Sequence, residues 1–90
     1  MILHKNEAGQ LHREDGPAVE CADGGYVWYR NGLRHRIDGP AYSGLDGISF
    51  WIDGNEYTNL DEYCDAAGII GRRKTLFLLT YSGVALEDQS

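Results

Sequence analysis

Two short runs rich in β-branched and aromatic residues, "YVWYR" (26–30) and "ISFWI" (48–52), alternate roughly between two faces. Alternation of this kind predicts half-buried β-strands. In the first run Val27 and Tyr29 share one face, and Tyr26, Trp28 and Arg30 the other; in the second, Ile48, Phe50 and Ile52 share a face. "PAVEC" (17–21) and "PAYS" (40–43) predict shorter strands, each starting at a proline. A proline is tolerated at the first residue of a strand. Asp23-Gly24, Asn31-Gly32, Asp46-Gly47 and Asp53-Gly54 punctuate the runs. These dipeptides accept the positive φ of tight hairpin turns.

Near Tyr57 the period becomes helical. "TNLDEYCDAAG" (58–68) puts Leu60, Tyr63, Cys64 and Ala67 on one face, with Asn59 and Glu62 spaced as a capping box and Gly68 as the stop. The apolar run in "RRKTLFLLTYSG" (72–83) fits a second helix packed through Leu76, Leu78 and Leu79, or one buried strand over 75–81. The helix is favoured, because a helical hairpin covers the open face of a small sheet. The expected fold class is α+β: an antiparallel β-meander of about five or six strands, then one or two helices. Residues 1–90 form one domain, with 1–57 as the meander, 58–81 as a helical cap and 82–90 as a frayed acidic tail.

The meander is written in repeats. "LHREDGPAVE" (11–20) matches "RHRIDGPAYS" (34–43) after a shift of 23 residues, and Trp28-Tyr29 and Asn31-Gly32 match Phe50-Trp51 and Asp53-Gly54 after a shift of 22. A weaker copy around Gly9 opens the chain. The pattern W-Y-x-N-G-x-x-H-R-x-D-G-P-A, carried by "WYRNGLRHRIDGPAY" (28–42), "LHREDGPAVE" and "FWIDGNEY" (50–57), resembles a repeat of small phage and bacterial proteins, similar to MORN-type repeat variants. The "NLDEYCDAAGI…KTLFLLTYSG" ending also resembles the helical tails that close such proteins. The resemblance implies binding rather than catalysis. No His-Arg-x-Asp-Gly-Pro follows Gly54, so the array ends there.

The His-Arg-x-Asp-Gly-Pro unit has a chemical and an architectural reading. As chemistry, His12 or His35 is a base, Asp15 or Asp38 orients it, and an arginine holds an anion. As architecture, Asp15 and Asp38 accept from backbone N–H groups just downstream, and Arg13 and Arg36 brace them. Gly16 and Gly39 then supply unusual φ, Pro17 and Pro40 fix the exit into a strand, and His12 and His35 hydrogen-bond backbone carbonyls. Duplication favours architecture, since a catalytic site rarely needs two copies one hairpin apart. His4, His12 and His35 match no common zinc spacing, and no cofactor motif is present. Cys64 lies on a packed helical face, where thiols are inert. Cys21 and Cys64 are expected to be reduced, with a single bridge between them as the open alternative.

Charge then narrows the partner. The formal net charge is −6, and residues 1–57 hold nine Asp+Glu against five Lys+Arg. That balance repels nucleic acid and attracts basic protein surfaces. The aromatics Tyr26, Trp28, Tyr29, Tyr42, Phe50, Trp51 and Tyr57 read as a core face before a base-stacking platform, which needs a basic groove. The absence of a leader-like or membrane-spanning pattern points to the cytoplasm of a bacterial host. The sequence therefore predicts a non-enzymatic acidic protein-binding module of phage or mobile-element type. It would occupy the basic surface of a host nucleic-acid-handling defence complex, such as a CRISPR effector. The partner-binding candidates are Glu14, Asp15, Glu20, Asp23, Asp38, Asp46, Asp53, Glu56, Asp61, Glu62 and Asp65. The alternative is a self-associating or assembly module, monomer or homodimer; a small His/Asp hydrolase ranks last.

Overall fold

The computed structural model describes residues 1–81; the tail expected over 82–90 lies outside the described residues. Eight short strands precede two helices: β1 (Ile2–Leu3), β2 (Val19–Glu20), β3 (Tyr26–Val27), β4 (Tyr29–Arg30), β5 (Leu33–Arg34), β6 (Tyr42–Gly44), β7 (Gly47–Ile52), β8 (Asn55–Tyr57), α1 (Leu60–Ala67) and α2 (Gly71–Tyr81). Six of the strands form one antiparallel sheet in the order β1-β2-β3-β6-β7-β8, and β4 and β5 form a separate hairpin. The α+β meander with a helical end is the expected class.

Turn chemistry sets this order. Asn31 (φ 50°) and Gly32 (φ 83°), and likewise Asp53 (φ 49°) and Gly54 (φ 81°), hold two successive positive-φ positions. That is the type I′ geometry whose twist matches the flanking strands. The run 26–30 serves two partners: Tyr26 and Val27 pair with β6 and β2, while Tyr29 and Arg30 fold back onto β5.

Helix α1 starts where Asn59 accepts the Glu62 N–H (3.1 Å) and stops at Gly68 (φ 80°). Phe50, Tyr63, Cys64 and Ile69 make the buried cluster, with Ile48, Ile52, Tyr57, Leu60, Ala67, Phe77, Leu78 and Tyr81 packed around it. The expected α1 face is therefore the packed one. Helix α2 forms, but its contact stripe is corrected: Leu78 packs with Phe77 and Tyr81, while Leu76 and Leu79 are 58% and 69% exposed. The reason is aromatic. Phe77 lies 5.8 Å from Phe50 and 5.7 Å from Tyr63, and Tyr81 lies 5.4 Å from Phe50 (ring centroids). Such pairs outweigh leucine contact on the opposite face. Cys21 and Cys64 are free thiols, and burial pushes the Cys64 thiol up. No helix among the described residues is long and apolar enough to cross a membrane.

Tyr63 ties α1 to the loop between β5 and β6. Its hydroxyl donates to the Arg36 carbonyl, lies 2.9 Å from the Gly39 carbonyl and receives the Gly39 N–H at 3.4 Å. Burial raises the pKa of this phenol. Tyr63→Phe keeps the ring and strands those backbone groups. It should cost about 1–3 kcal/mol, read as a lower urea midpoint at unchanged m. An unchanged midpoint would show that the hydroxyl contributes nothing.

Candidate functional site

Each His-Arg-x-Asp-Gly-Pro unit closes into a ring around its arginine. Arg13 Nε donates to Asp15 at 3.0 Å and Nη1 to the Pro17 carbonyl at 3.3 Å. Arg36 repeats this with Asp38 at 2.8 Å and the Pro40 carbonyl at 3.1 Å. The glycine lies beneath the guanidinium. A Cβ on Gly16 would stand 3.0 Å from Arg13 Cζ, and one on Gly39 2.8 Å from Arg36 Cζ.

Two details of the sequence reading are corrected here. Gly16 and Gly39 are absent from the positive-φ residues, so close approach of the guanidinium demands them, not backbone freedom. Asp15 and Asp38 accept from arginine Nε rather than from downstream backbone N–H groups, because the planar fork reaches carboxylate and carbonyl together. The bracing of the aspartates by Arg13 and Arg36 is as expected.

The histidines carry a third correction. Nδ1 of His12 accepts the Asn31 N–H at 2.9 Å, and Nδ1 of His35 accepts the Asp53 N–H at 3.1 Å. Both were expected to donate to carbonyls. Each instead caps the first positive-φ residue of the next hairpin turn, where the backbone N–H has no ladder partner. Alongside, Arg13 N–H reaches the Tyr29 carbonyl (3.1 Å) and Arg36 N–H the Trp51 carbonyl (3.0 Å). One repeat is thus stitched to the next by the same bonds twice.

Between the two rings opens a cleft of about 490 Å³, lined by Arg13, Glu14, Asp15, Trp28, Arg30, His35, Arg36, Ile37 and Asp38. Trp28 lies under the Arg36 guanidinium at 4.2 Å. In the first repeat His4 takes the tryptophan's place, with Arg13 Nη1 3.2 Å from its Nε2. Arg30 pairs with Asp53 at 3.2 Å. In both rings the carboxylate is more exposed than the arginine that holds it: Asp15 is 87% exposed against 32% for Arg13, and Asp38 65% against 20% for Arg36. The Arg13 hydrogen bond holds the Asp15 carboxyl below its ordinary range. No hydrogen bond joins an aspartate of the rings to a ring histidine; the carboxylate beside His35 is that of Asp53, 3.3 Å from Nδ1.

The remaining acidic candidates are dispersed. Glu20 lies 3.5 Å from Arg13. Asp23 accepts the Gly25 N–H at 3.0 Å, and Asp46 accepts the Tyr42 hydroxyl at 2.8 Å; both flank a second depression of about 300 Å³. Asp61 and Asp65 share Lys74, whose pKa their bonds push up to about 12. Glu62 lies exposed on α1, and Glu56 pairs across from Trp51 on β8. Among the candidates, only Glu14, Asp15 and Asp38 line the cleft. The apolar parts of the cleft are Ile37, which carried no signal in the sequence, and Trp28, which was expected first as part of a core face. Sequence reading missed Arg34, whose guanidinium covers Tyr42 (5.3 Å) and Trp51 (4.9 Å). The aromatics therefore divide, Phe50 and Tyr57 facing the helices while Trp28, Tyr42 and Trp51 lie under arginines. Among the described residues no three metal-ligating side chains converge. Comparison with family models, with curated proteins and with solved structures returned no match.

Two expected outcomes follow from the joints. Burial, helped by Arg30 and opposed by Asp53, lowers the pKa of His35 below 6.5. A lowered histidine pKa means the fold prefers the neutral ring. Stability is then complete above 6.5 and falls as pH drops through 6.5 toward the folded value. The urea midpoint should fall between about pH 8 and pH 5, and His35→Phe should start lower and vary less over that range. Gly39→Ala should cost about 1–3 kcal/mol by overpacking. Adding Arg36→Ala should make the pair strongly non-additive in a double-mutant cycle, whereas simple additivity would dissociate the glycine from the guanidinium.

Proposed function

We propose that the chain is a non-enzymatic protein-binding module that presents fixed carboxylates to a basic partner surface. The observation that carries this reading is the layering of the cleft. Arg13 and Arg36 lie beneath and hold Asp15 and Asp38 outward, with exposed Glu14 beside them. A carboxylate held by a half-buried arginine needs little further ordering when a partner cation docks, which lowers the entropic cost of binding. The repeat sets the two carboxylates one unit apart on a rigid frame, and the net charge of −6 favours encounter with cationic surfaces.

A row of carboxylates on stiff turns has the chemistry to stand in for phosphates. The partner class that fits is a protein that grips nucleic acid, such as a host defence effector. Trp28 and Ile37 supply the apolar contact that an interface needs at its centre.

Tagged chain should capture a nucleic-acid-binding complex from bacterial lysate at low salt and release it at high salt. Excess DNA should displace the chain. Asp15→Asn with Asp38→Asn preserves an oxygen acceptor for each arginine while removing the charge. It should weaken capture about tenfold without changing the fold. Capture that ignores salt, DNA and the double substitution would overturn this reading.

A further inference from the structure

The two ends of the sheet are treated differently. Strands β1 and β8 are both edge strands with one strand partner each, and β8 also contacts α1. At the β1 end Met1, Ile2 and Leu3 are 81%, 55% and 49% exposed. The backbone shows which groups face out. His4 N–H donates to the Ala18 carbonyl at 2.8 Å and the His4 carbonyl accepts from His12 at 2.9 Å, so His4 faces inward. Neighbouring residues of an antiparallel strand face alternately, which turns the N–H and C=O of Leu3 and Lys5 outward.

One repeat later the same positions are filled. The Val27 carbonyl, equivalent to that of Leu3, accepts from Ala18 at 2.9 Å. The Tyr29 carbonyl, equivalent to that of Lys5, accepts from Arg13 at 3.1 Å. The outer edge of the first unit is therefore the same surface that the fold itself pairs at its next joint, here presented to solvent with apolar side chains.

We propose that this edge pairs with the same edge of a second copy, β1 antiparallel to β1 about a two-fold axis through Leu3. The edge complements itself: the outward N–H and C=O of Leu3 meet the C=O and N–H of Leu3 across the axis. This register sets Met1 opposite Lys5 and Ile2 opposite His4. An axis through Lys5 would instead oppose two lysines, which destabilises a cross-strand pair. A two-fold pairing uses each β1 edge once, so it closes at two copies. The cleft residues take no part, so this inference stands apart from the proposed partner binding.

Light scattering behind size exclusion, over a dilution series of the untagged chain, should show a dimer that dissociates on dilution and persists at high salt. Leu3→Pro deletes an outward N–H and spares the His4–Ala18 bond. It should weaken the dimer at least about tenfold, with the circular dichroism spectrum of the chain retained. Leu3→Glu sets two carboxylates face to face at the axis and should weaken it without altering the backbone. A monomeric mass up to about 1 mM, or a dimer that both substitutions leave intact, would overturn the proposal.

Discussion

The arginine at the centre of each His-Arg-x-Asp-Gly-Pro ring is the constraint on which the rest of this protein hangs. One guanidinium satisfies a carboxylate and a proline carbonyl and roofs a glycine. In the second unit it also covers an indole. A chain of this size buries a small core, so backbone direction cannot be left to hydrophobic packing alone. The ring supplies direction. It turns the chain from a hairpin into the following strand and leaves Gly16, Ala18, Gly39, Pro40 and Ala41 buried. Lysine would not serve, since it lacks a planar fork to reach two acceptors at once.

The rings act on their neighbours through histidine. His12 and His35 accept from turn residues 19 and 18 positions downstream, so a turn in one unit is held by the unit before it. Repeat proteins draw stability from such nearest-neighbour joints and need their ends closed. Here the closing group is Tyr63. The position equivalent to Trp28 is Phe50 in the last unit, and no arginine arrives to cover it. Tyr63 packs on Phe50 instead, 4.9 Å between ring centroids, and its hydroxyl ties down the preceding ring. The array thus ends by exchanging a cation for an aromatic ring carried on a helix.

Rigidity of this kind has a consequence at the surface. Most acidic side chains of the described residues are partnered within the chain, which fixes their positions. A surface of fixed charge favours recognition of a complementary rigid surface over adaptive contact. In the duplicated motif Nδ1 of each imidazole accepts from a turn amide and each carboxylate accepts from a guanidinium.

Local signals were legible in the sequence wherever a residue's reason lies within a few positions of it. Asn31-Gly32 and Asp53-Gly54 announced their turns because positive φ is a property of those residues. Asn59 and Gly68 announced the ends of α1 because a helix exposes the same unpaired groups wherever it forms. The repeat announced the meander and the bracing of aspartate by an arginine two residues away. Tertiary structure alone decided the rest. The direction of the histidine bonds, the guanidinium that makes Gly16 and Gly39 necessary, and the choice of Phe77 and Tyr81 over Leu76 and Leu79 depend on groups brought together from distant positions. Tyr63 meets Arg36 across 27 residues. Periodicity reports which face of an element is apolar, but only the folded chain determines which atoms that face will meet.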